Sequence, residues 1–536
     1  MHRSDAVSAE KLKAFRSIKY IMARKINDPT PGLSRLLHEY MLLPGKIPSD
    51  LSTDDIDLST PLMKYVKKEE SRLKLNIPVL SAAMQSVTGP SMAIAMARLG
   101  GAGVIFCSQP IEDEAKMVRE VKSYRAGFVV PDVFSPEDSL ETVKKRIEER
   151  GYSTFPITED GESSGRLLGY LTKNDFDPQR HSRLKVKDRM VPVNRISCIV
   201  LRNVVDSEGR PDLNKANEIL MESHHGSLPI VDDDMRLVYV AFRKDLREHL
   251  ENPQELLDSK KRFVCGAALN TRDYARRVPA IIGAEADFLV IDTSQAYSDY
   301  AEKCLRYLKS NYPDVPVIGG NIVTEEGFKF LVDNGADAVK VGMGSGSICI
   351  TQEQIKVGRG QASAVIEVGK ARDRLCEETG EYVPVISDGG ILTASDITVA
   401  LALGADLVMV GRYVVGSEES NSERFTRHRV VDRRTVPEIV KQYWGEGSNR
   451  AREWSGMRYY HASFEEGIEI EVSYVGPLKD YMLPSLAMVR DGIRKAGSKN
   501  IDELHKNSTL EAISALSLSV SGEKPSSMPT PPRIRS

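Results

Sequence analysis

Short apolar, β-branched runs recur along this chain at 78–81, 103–107, 262–267, 287–292, 315–319, 337–342, 384–388 and 406–411. Where they follow one another, about 20 to 30 residues separate them, which is room for one helix and is the rhythm of βαβ units. Three of the runs open alike, on Ala286-Asp287, Ala336-Asp337 and Ala405-Asp406. Such an internal echo is expected of a repetitive fold. The expected class is α/β, with eight strand–helix units closing into a (β/α)8 TIM barrel. An open doubly wound sheet is the alternative.

The rhythm breaks between the second and third runs, because 116–252 is too long for one crossover. The expected organisation is an N-terminal segment with the first part of the barrel in 1–115, an inserted domain in 116–252, the rest of the barrel in 253–521 and a Pro- and Ser-rich disordered tail in 522–536. The insertion holds two similar units, at about 116–180 and 185–252. In the first, Thr154-Phe155-Pro156-Ile157 leads to a second apolar strand and to Lys173-Asn174-Asp175; in the second, Ser227-Leu228-Pro229-Ile230-Val231 leads to Arg243-Lys244-Asp245. Each reads as an apolar-Pro strand, an acidic turn, a second strand and a basic-Asp helix start. The pattern resembles a tandem pair of cystathionine-β-synthase (CBS) domains, which implies an adenine or guanine nucleotide as a regulatory ligand there.

Composition removes other classes. A net charge of −3 disfavours nucleic acid as the main ligand, and no apolar run approaches the ~20 residues of a membrane span. The cysteines Cys107, Cys198, Cys265, Cys304, Cys349 and Cys376 are far apart and form no CxxC pair, which disfavours structural zinc and a disulfide framework. The N-terminal residues carry Asp5 and Glu10 and no long apolar core, unlike a secretory signal. A cytoplasmic location is expected.

The chemical centre is Gly342-Met343-Gly344-Ser345-Gly346-Ser347-Ile348-Cys349-Ile350-Thr351-Gln352-Glu353. Small residues let backbone amides turn inward toward an anion and carbonyls converge on a cation, and the run ends on a thiol that can attack a ligand. Alone, such a loop is as readily a tight turn with an ordinary cysteine. Its surroundings include 81–87, 291–294, 320–323, Ser387-Asp388-Gly389-Gly390-Ile391, 410–413 and 443–448.

Taken together, these segments resemble the IMP dehydrogenase / GMP reductase family over most of residues 30–520, and within it the dehydrogenase branch. The resemblance implies NAD-dependent oxidation of inosine 5'-monophosphate (IMP) to xanthosine monophosphate. In that chemistry Cys349 attacks carbon 2 of the purine, hydride passes to NAD, and the thioimidate is hydrolysed. It implies catalytic roles for Cys349, Thr351, Arg458 and Tyr459, the last two on a mobile flap that closes after the nicotinamide leaves. NAD is expected against Asp292, Thr293, Ser294, Asn321, Gly342, Met343 and Gly344, with Arg272 and Tyr300 at its adenine. For the substrate, Ser347, Gly389, Gly390, Gly411 and Arg412 are expected at the phosphate and Asp388 at the ribose hydroxyls. Met84, Tyr443, Trp444, Gly445, Glu446, Gly447 and Glu466 are expected around the purine. A potassium ion is implied on the carbonyls of Gly344, Gly346 and Cys349 and of Val520, Ser521 and Gly522 from a neighbouring subunit, where some relatives carry Glu-Gly-Gly. A homotetramer is implied, with octamers through the CBS pairs.

Two other readings stand beside this one. GMP reductase shares the barrel and cysteine loop but typically lacks the CBS pair and the Arg-Tyr flap. A catalytically silent nucleotide sensor would use the barrel only as scaffold; the joint presence of Cys349, Thr351, Asp292 and Arg458 speaks against it.

Overall fold

The computed structural model describes residues 25–27, 32–67, 69–124, 127–129, 132–150, 154–177, 180–181, 183–205, 212–223, 225–431, 434–451 and 465–514. A closed barrel is built from β1 (Val79–Ser81), β2 (Ala102–Ile105), β3 (Cys265–Leu269), β4 (Phe288–Asp292), β5 (Val317–Ile322), β6 (Ala338–Val341), β7 (Val385–Asp388) and β8 (Leu407–Val410). The pairings are parallel, with Val408 beside Val79 and Asp292 beside Gly320. The sheet has no edge, so the doubly wound alternative falls. Residues of β2, β6 and β8 are buried throughout, as the continuous apolar runs require in a parallel sheet covered on both faces.

A helix follows each strand: α1 (Pro90–Arg98), α2 (Ile111–Lys122), α3 (Tyr274–Gly283), α4 (Asp299–Asn311), α5 (Glu325–Asp333), α6 (Gln361–Thr379), α7 (Ala394–Leu403) and α8 (Leu478–Lys495). Three of them begin on side-chain caps, with Ser298, Thr324 and Thr393 accepting from the amides of Ala301, Gly327 and Asp396. Two strands depart from their expected bounds. Arg262 does not join β3 but pairs with Asp258 and, at 2.8 Å, with Glu285; β5 continues to Ile322 through a register shift after Gly320.

The three Ala-Asp echoes share one structural task. Asp287, Asp337 and Asp406 precede β4, β6 and β8, and the carboxylate of each accepts the first amide of the strand before it. Cys265 N donates to Asp287 at 2.7 Å, Val317 N to Asp337 at 2.8 Å and Val385 N to Asp406 at 2.8 Å. A basic side chain two elements upstream completes each foot: Lys122 of α2 at 2.7 Å, Lys309 of α4 at 2.6 Å and Arg372 of α6 at 2.7 Å.

Residues 128–251 form two small sheets. Thr154–Thr158 and Leu167–Thr172 make one antiparallel hairpin and Ser227–Val231 and Leu237–Phe242 the other. They meet reciprocally, Leu167 N donating to Met235 O at 2.9 Å and Leu237 N to Gly165 O at 3.0 Å, around Leu167, Tyr170, Val231, Leu237 and Val240. The duplication expected from sequence is present, with one difference. The helix Arg243–Glu251 follows the second hairpin, whereas Lys173–Asp175 after the first is a turn closed by the Asp175 carboxylate on Thr172 N at 2.6 Å. Pro178 disfavours helical backbone at Asp177, which explains the missing helix start.

Past β8, the strands β9 (Arg424–Val431), β10 (Arg434–Trp444) and β11 (Glu469–Ser473) form an antiparallel sheet. Among the described residues no helix is long and apolar enough to cross a membrane.

Candidate active site

A cavity of about 200 Å³ opens at the C-terminal ends of the barrel strands. Its wall is made by the residues that immediately follow β1, β4, β5, β6, β7 and β8, where this fold positions ligands on loops held by a rigid sheet. Met84, Asp292, Thr293, Ser294, Asn321, Gly342, Met343, Gly344, Gly346, Ser347, Cys349, Thr351, Asp388, Gly389, Gly390, Gly411, Arg412, Tyr443, Gly445, Glu446, Gly447 and Glu466 all line it. These residues lie between positions 84 and 466 of the sequence and are brought to one cavity.

The cysteine loop leaves β6 at Gly342, whose φ is +152°, and a Cβ there would sit 2.0 Å from the Asp388 carbonyl oxygen. Only glycine fits that approach. At Gly389, φ +98°, a Cβ would meet Ser345 Oγ at 2.5 Å, so the thiol-bearing loop and the loop after β7 interlock without side chains between them. Gln361, fully buried at the start of α6, ties them: its Nε2 donates to Val341 O at 2.8 Å and Ser387 Oγ at 2.9 Å, and its Oε1 accepts from Ser345 Oγ at 2.8 Å.

Cys349 Sγ lies 3.2 Å from Thr351 Oγ1, and that hydroxyl donates to Glu466 Oε2 at 2.9 Å. The Glu466 position is set by backbone pairing, since Ile350 N donates to Glu466 O at 3.0 Å and Ile468 N to Ile348 O at 3.0 Å. A carboxylate, a hydroxyl and a thiol therefore form one hydrogen-bonded line. A line of this kind can pass a proton between solvent and an atom bound at sulfur. Glu466, expected at the purine edge, thus has its carboxylate engaged by Thr351.

The aromatic wall comes from β10. Tyr443 is buried with its hydroxyl 3.9 Å from Met84 Sδ, and burial holds its phenol well above the ordinary tyrosine range despite Ser347 and Arg412. Trp444 does not line the cavity; its Nε1 donates to Gln85 Oε1 at 3.0 Å and Arg450 stacks on its ring at 4.1 Å. Glu446 accepts from Gln85 N at 2.6 Å, which fixes the turn at 445–447. Arg272 and Tyr300 also lie off the cavity wall, stacked on each other at 4.0 Å. The expected flap residues Arg458 and Tyr459, and the cation residues Val520, Ser521 and Gly522, lie outside the described residues.

Sequence reading missed Lys340 and Gln361. Lys340 sits beneath the pocket, bonded to Asp292, Asp388 and Asn321. A lysine inside an otherwise apolar barrel strand was the available signal, since a buried ammonium requires carboxylate partners. Among the described residues no group of three or more His, Cys, Asp or Glu side chains is arranged to hold a metal.

A closed (β/α)8 barrel with a thiol, a hydroxyl–carboxylate line and two glycine loops at its catalytic face defines a barrel enzyme built for covalent chemistry on a ligand. The chain belongs to the IMP dehydrogenase / GMP reductase family, whose family model matches residues 37–523. It is 41% identical over 505 residues to the inosine-5'-monophosphate dehydrogenase of Tritrichomonas foetus, covering 93% of this chain and 96% of that protein. The Toxoplasma gondii enzyme of the same name is 38% identical over 412 residues, covering 76% of this chain and 69% of that one. Among solved structures, a cysteine-to-alanine variant of the Trypanosoma brucei GMP reductase in complex with guanosine 5'-monophosphate matches with a TM-score of 0.70 at 28% identity, over 92% of this chain and 98% of that one. That match extends across most of the chain, so an insertion between β2 and β3 does not by itself separate dehydrogenase from reductase, as the sequence reading had supposed.

Proposed function

We propose that this chain is an NAD-dependent IMP dehydrogenase that works through a covalent bond to Cys349. The observation that carries the reading is the line Cys349–Thr351–Glu466 at the wall of a cavity whose other loops are glycine cradles, in a chain 41% identical to a named IMP dehydrogenase. The sulfur bonds to carbon 2 of the purine, and the hydride leaving that carbon passes to NAD. Water then adds to carbon 2, the carbon–sulfur bond breaks, and xanthosine monophosphate departs with one proton released to solvent. Splitting the oxidation in this way replaces one hard substitution by two easier steps.

The residues suit these tasks. Gly389, Gly390 and Gly411 can offer amides to a phosphate, with Arg412 beside them as a guanidinium partner and Ser347 as a further donor. Asp388 can accept two ribose hydroxyls. Asp292, Thr293, Ser294 and Asn321 offer the polar edge for the nicotinamide and its ribose. Arg458 and Tyr459 would close over the site once the reduced cofactor has left, with Thr351 holding the water. The carbonyls of Gly344, Gly346 and Cys349 are hard oxygen donors of the type that binds potassium, which would stiffen the loop carrying the thiol. The paired hairpins of 128–251 would take an adenine or guanine nucleotide as a regulator, and the working assembly would be a homotetramer, joining into octamers through those hairpins.

Formation of NADH from IMP and NAD, followed by absorbance with and without potassium, tests the reading. The likeness to the Trypanosoma brucei reductase supports GMP reductase as the second reading. Loss of NADPH with GMP, and no NADH with IMP, would establish that one instead.

A further inference from the structure

Strand β6 places Lys340 between Val339 and Val341, and the lysine side chain is 1% exposed. An ammonium has three protons, and this one meets three acceptors: Asp292 Oδ1 at 2.9 Å, Asp388 Oδ2 at 2.6 Å and Asn321 Oδ1. Asn321 closes the group by donating to Asp388 Oδ2 at 3.0 Å and to Gly342 O at 2.8 Å. Burial alone would push the ammonium pKa down, but the two carboxylates outweigh it and hold it above the ordinary lysine value. The carboxylates come from the ends of different strands, β4 and β7, on either side of β6 in the barrel's order with β5 between β4 and β6.

If the function proposed above holds, Asp292 faces the cofactor and Asp388 the substrate ribose. We propose that Lys340 is a positioning residue that couples the IMP and NAD sites by neutralising and orienting these two carboxylates at once. Without a cation between them, two carboxylates sharing a buried site repel, and one of them turns away or takes up a proton. Lys340 and Asn321 both hold Oδ2 of Asp388, which leaves Oδ1 as the oxygen that can accept from a ribose hydroxyl. The charge count points the same way: IMP brings a phosphate, and an uncompensated pair of carboxylates beneath the purine site would oppose it.

The test is steady-state kinetics of the full chain, with equilibrium binding of IMP alone and thermal melting as companions. Lys340→Met is expected to raise KM for IMP and for NAD together, each on the order of tenfold. Asp388→Asn should move chiefly the IMP value and Asp292→Asn chiefly the NAD value. Adding Asp292→Asn to Lys340→Met should recover part of the lost IMP affinity, because the remaining carboxylate no longer faces a second one. Lys340→Arg should restore both. A Lys340→Met enzyme with only one KM changed, or with kcat alone lowered, overturns the coupling, as does a double variant whose losses simply add. Should Lys340→Met melt far below the wild type, the Lys340→Arg and double variants carry the same comparison. A wild type that makes no NADH from IMP sinks the functional reading instead, and the two failures are distinct.

Discussion

At the scale of single residues, chemistry follows from what each side chain is allowed to touch. Cys349 is half-buried on the cavity wall, whereas Cys107, Cys265, Cys304 and Cys376 are buried. Burial pushes the Cys265 and Cys198 thiols up, and that of Cys304 to about 12. Iodoacetamide near neutral pH is therefore expected to alkylate Cys349 first, with IMP protecting it, as peptide mapping would read; earlier labelling of Cys304 or Cys265 would contradict the site. Cys349→Ala should abolish turnover and leave IMP binding measurable. Thr351→Val cuts the line to Glu466, and is expected to keep a burst of NADH while slowing steady-state release by roughly 10²-fold or more. A lost burst with normal hydrolysis would remove Thr351 from the hydrolytic half. Cys349 and Thr351 were legible because a glycine-rich loop ending on a thiol is a local pattern. Lys340 and Gln361 were not, since nothing local says which polar side chain points inward from a strand or a helix start.

At the scale of elements, the repeated Asp feet show why this barrel closes where it does. Each carboxylate replaces one backbone acceptor at the start of a strand and is itself neutralised by a cation from an upstream helix. The Asp406 foot is the most enclosed: Arg372 is fully buried, stacks on Tyr382 at 4.6 Å and meets Asp406 at 2.7 Å, while the Tyr382 hydroxyl donates to the same carboxylate at 2.6 Å. Asp406→Asn leaves that guanidinium without its counter-charge, and should cost roughly 3–5 kcal/mol of stability by chemical denaturation. A change below about 1 kcal/mol would mean that the foot is ornamental. The Ala-Asp echo was visible in sequence as a repeat. Its purpose was not, because the amide each Asp receives belongs to the preceding strand and its cation to a helix before that.

At the scale of the whole molecule, the insertion and the barrel can be separated experimentally. Lys122 at the end of α2 bonds to Asp258 at 2.8 Å and to Asp287 at 2.7 Å, so the chain leaves and re-enters this part of the fold at nearly the same point. Replacing 127–252 by a short Gly/Ser linker is therefore expected to keep IMP-dependent NADH formation and to change its response to added nucleotides. Cutting from 116 removes Lys122 and should also lower the melting temperature. A well-folded but inactive barrel after the shorter deletion would assign the insertion a catalytic part. Arg458→Ala belongs at this scale too, because its role depends on a segment exchanging places with the cofactor: it should preserve the NADH burst and slow hydrolysis, as rapid-quench kinetics would show.

The sequence alone determined the barrel, its eight strands, the duplicated insertion and the loops that meet at the catalytic face. Those are set by apolar periodicity and by glycines whose backbone needs are local. Only the tertiary structure decided which charged groups neutralise one another, as Lys340 does for Asp292 and Asp388 and Arg372 for Asp406. It also decided that Glu466 reaches the thiol through Thr351. Charge pairing acts through space between residues tens of positions apart, and its partners are fixed only once the strands that carry them have closed into a ring.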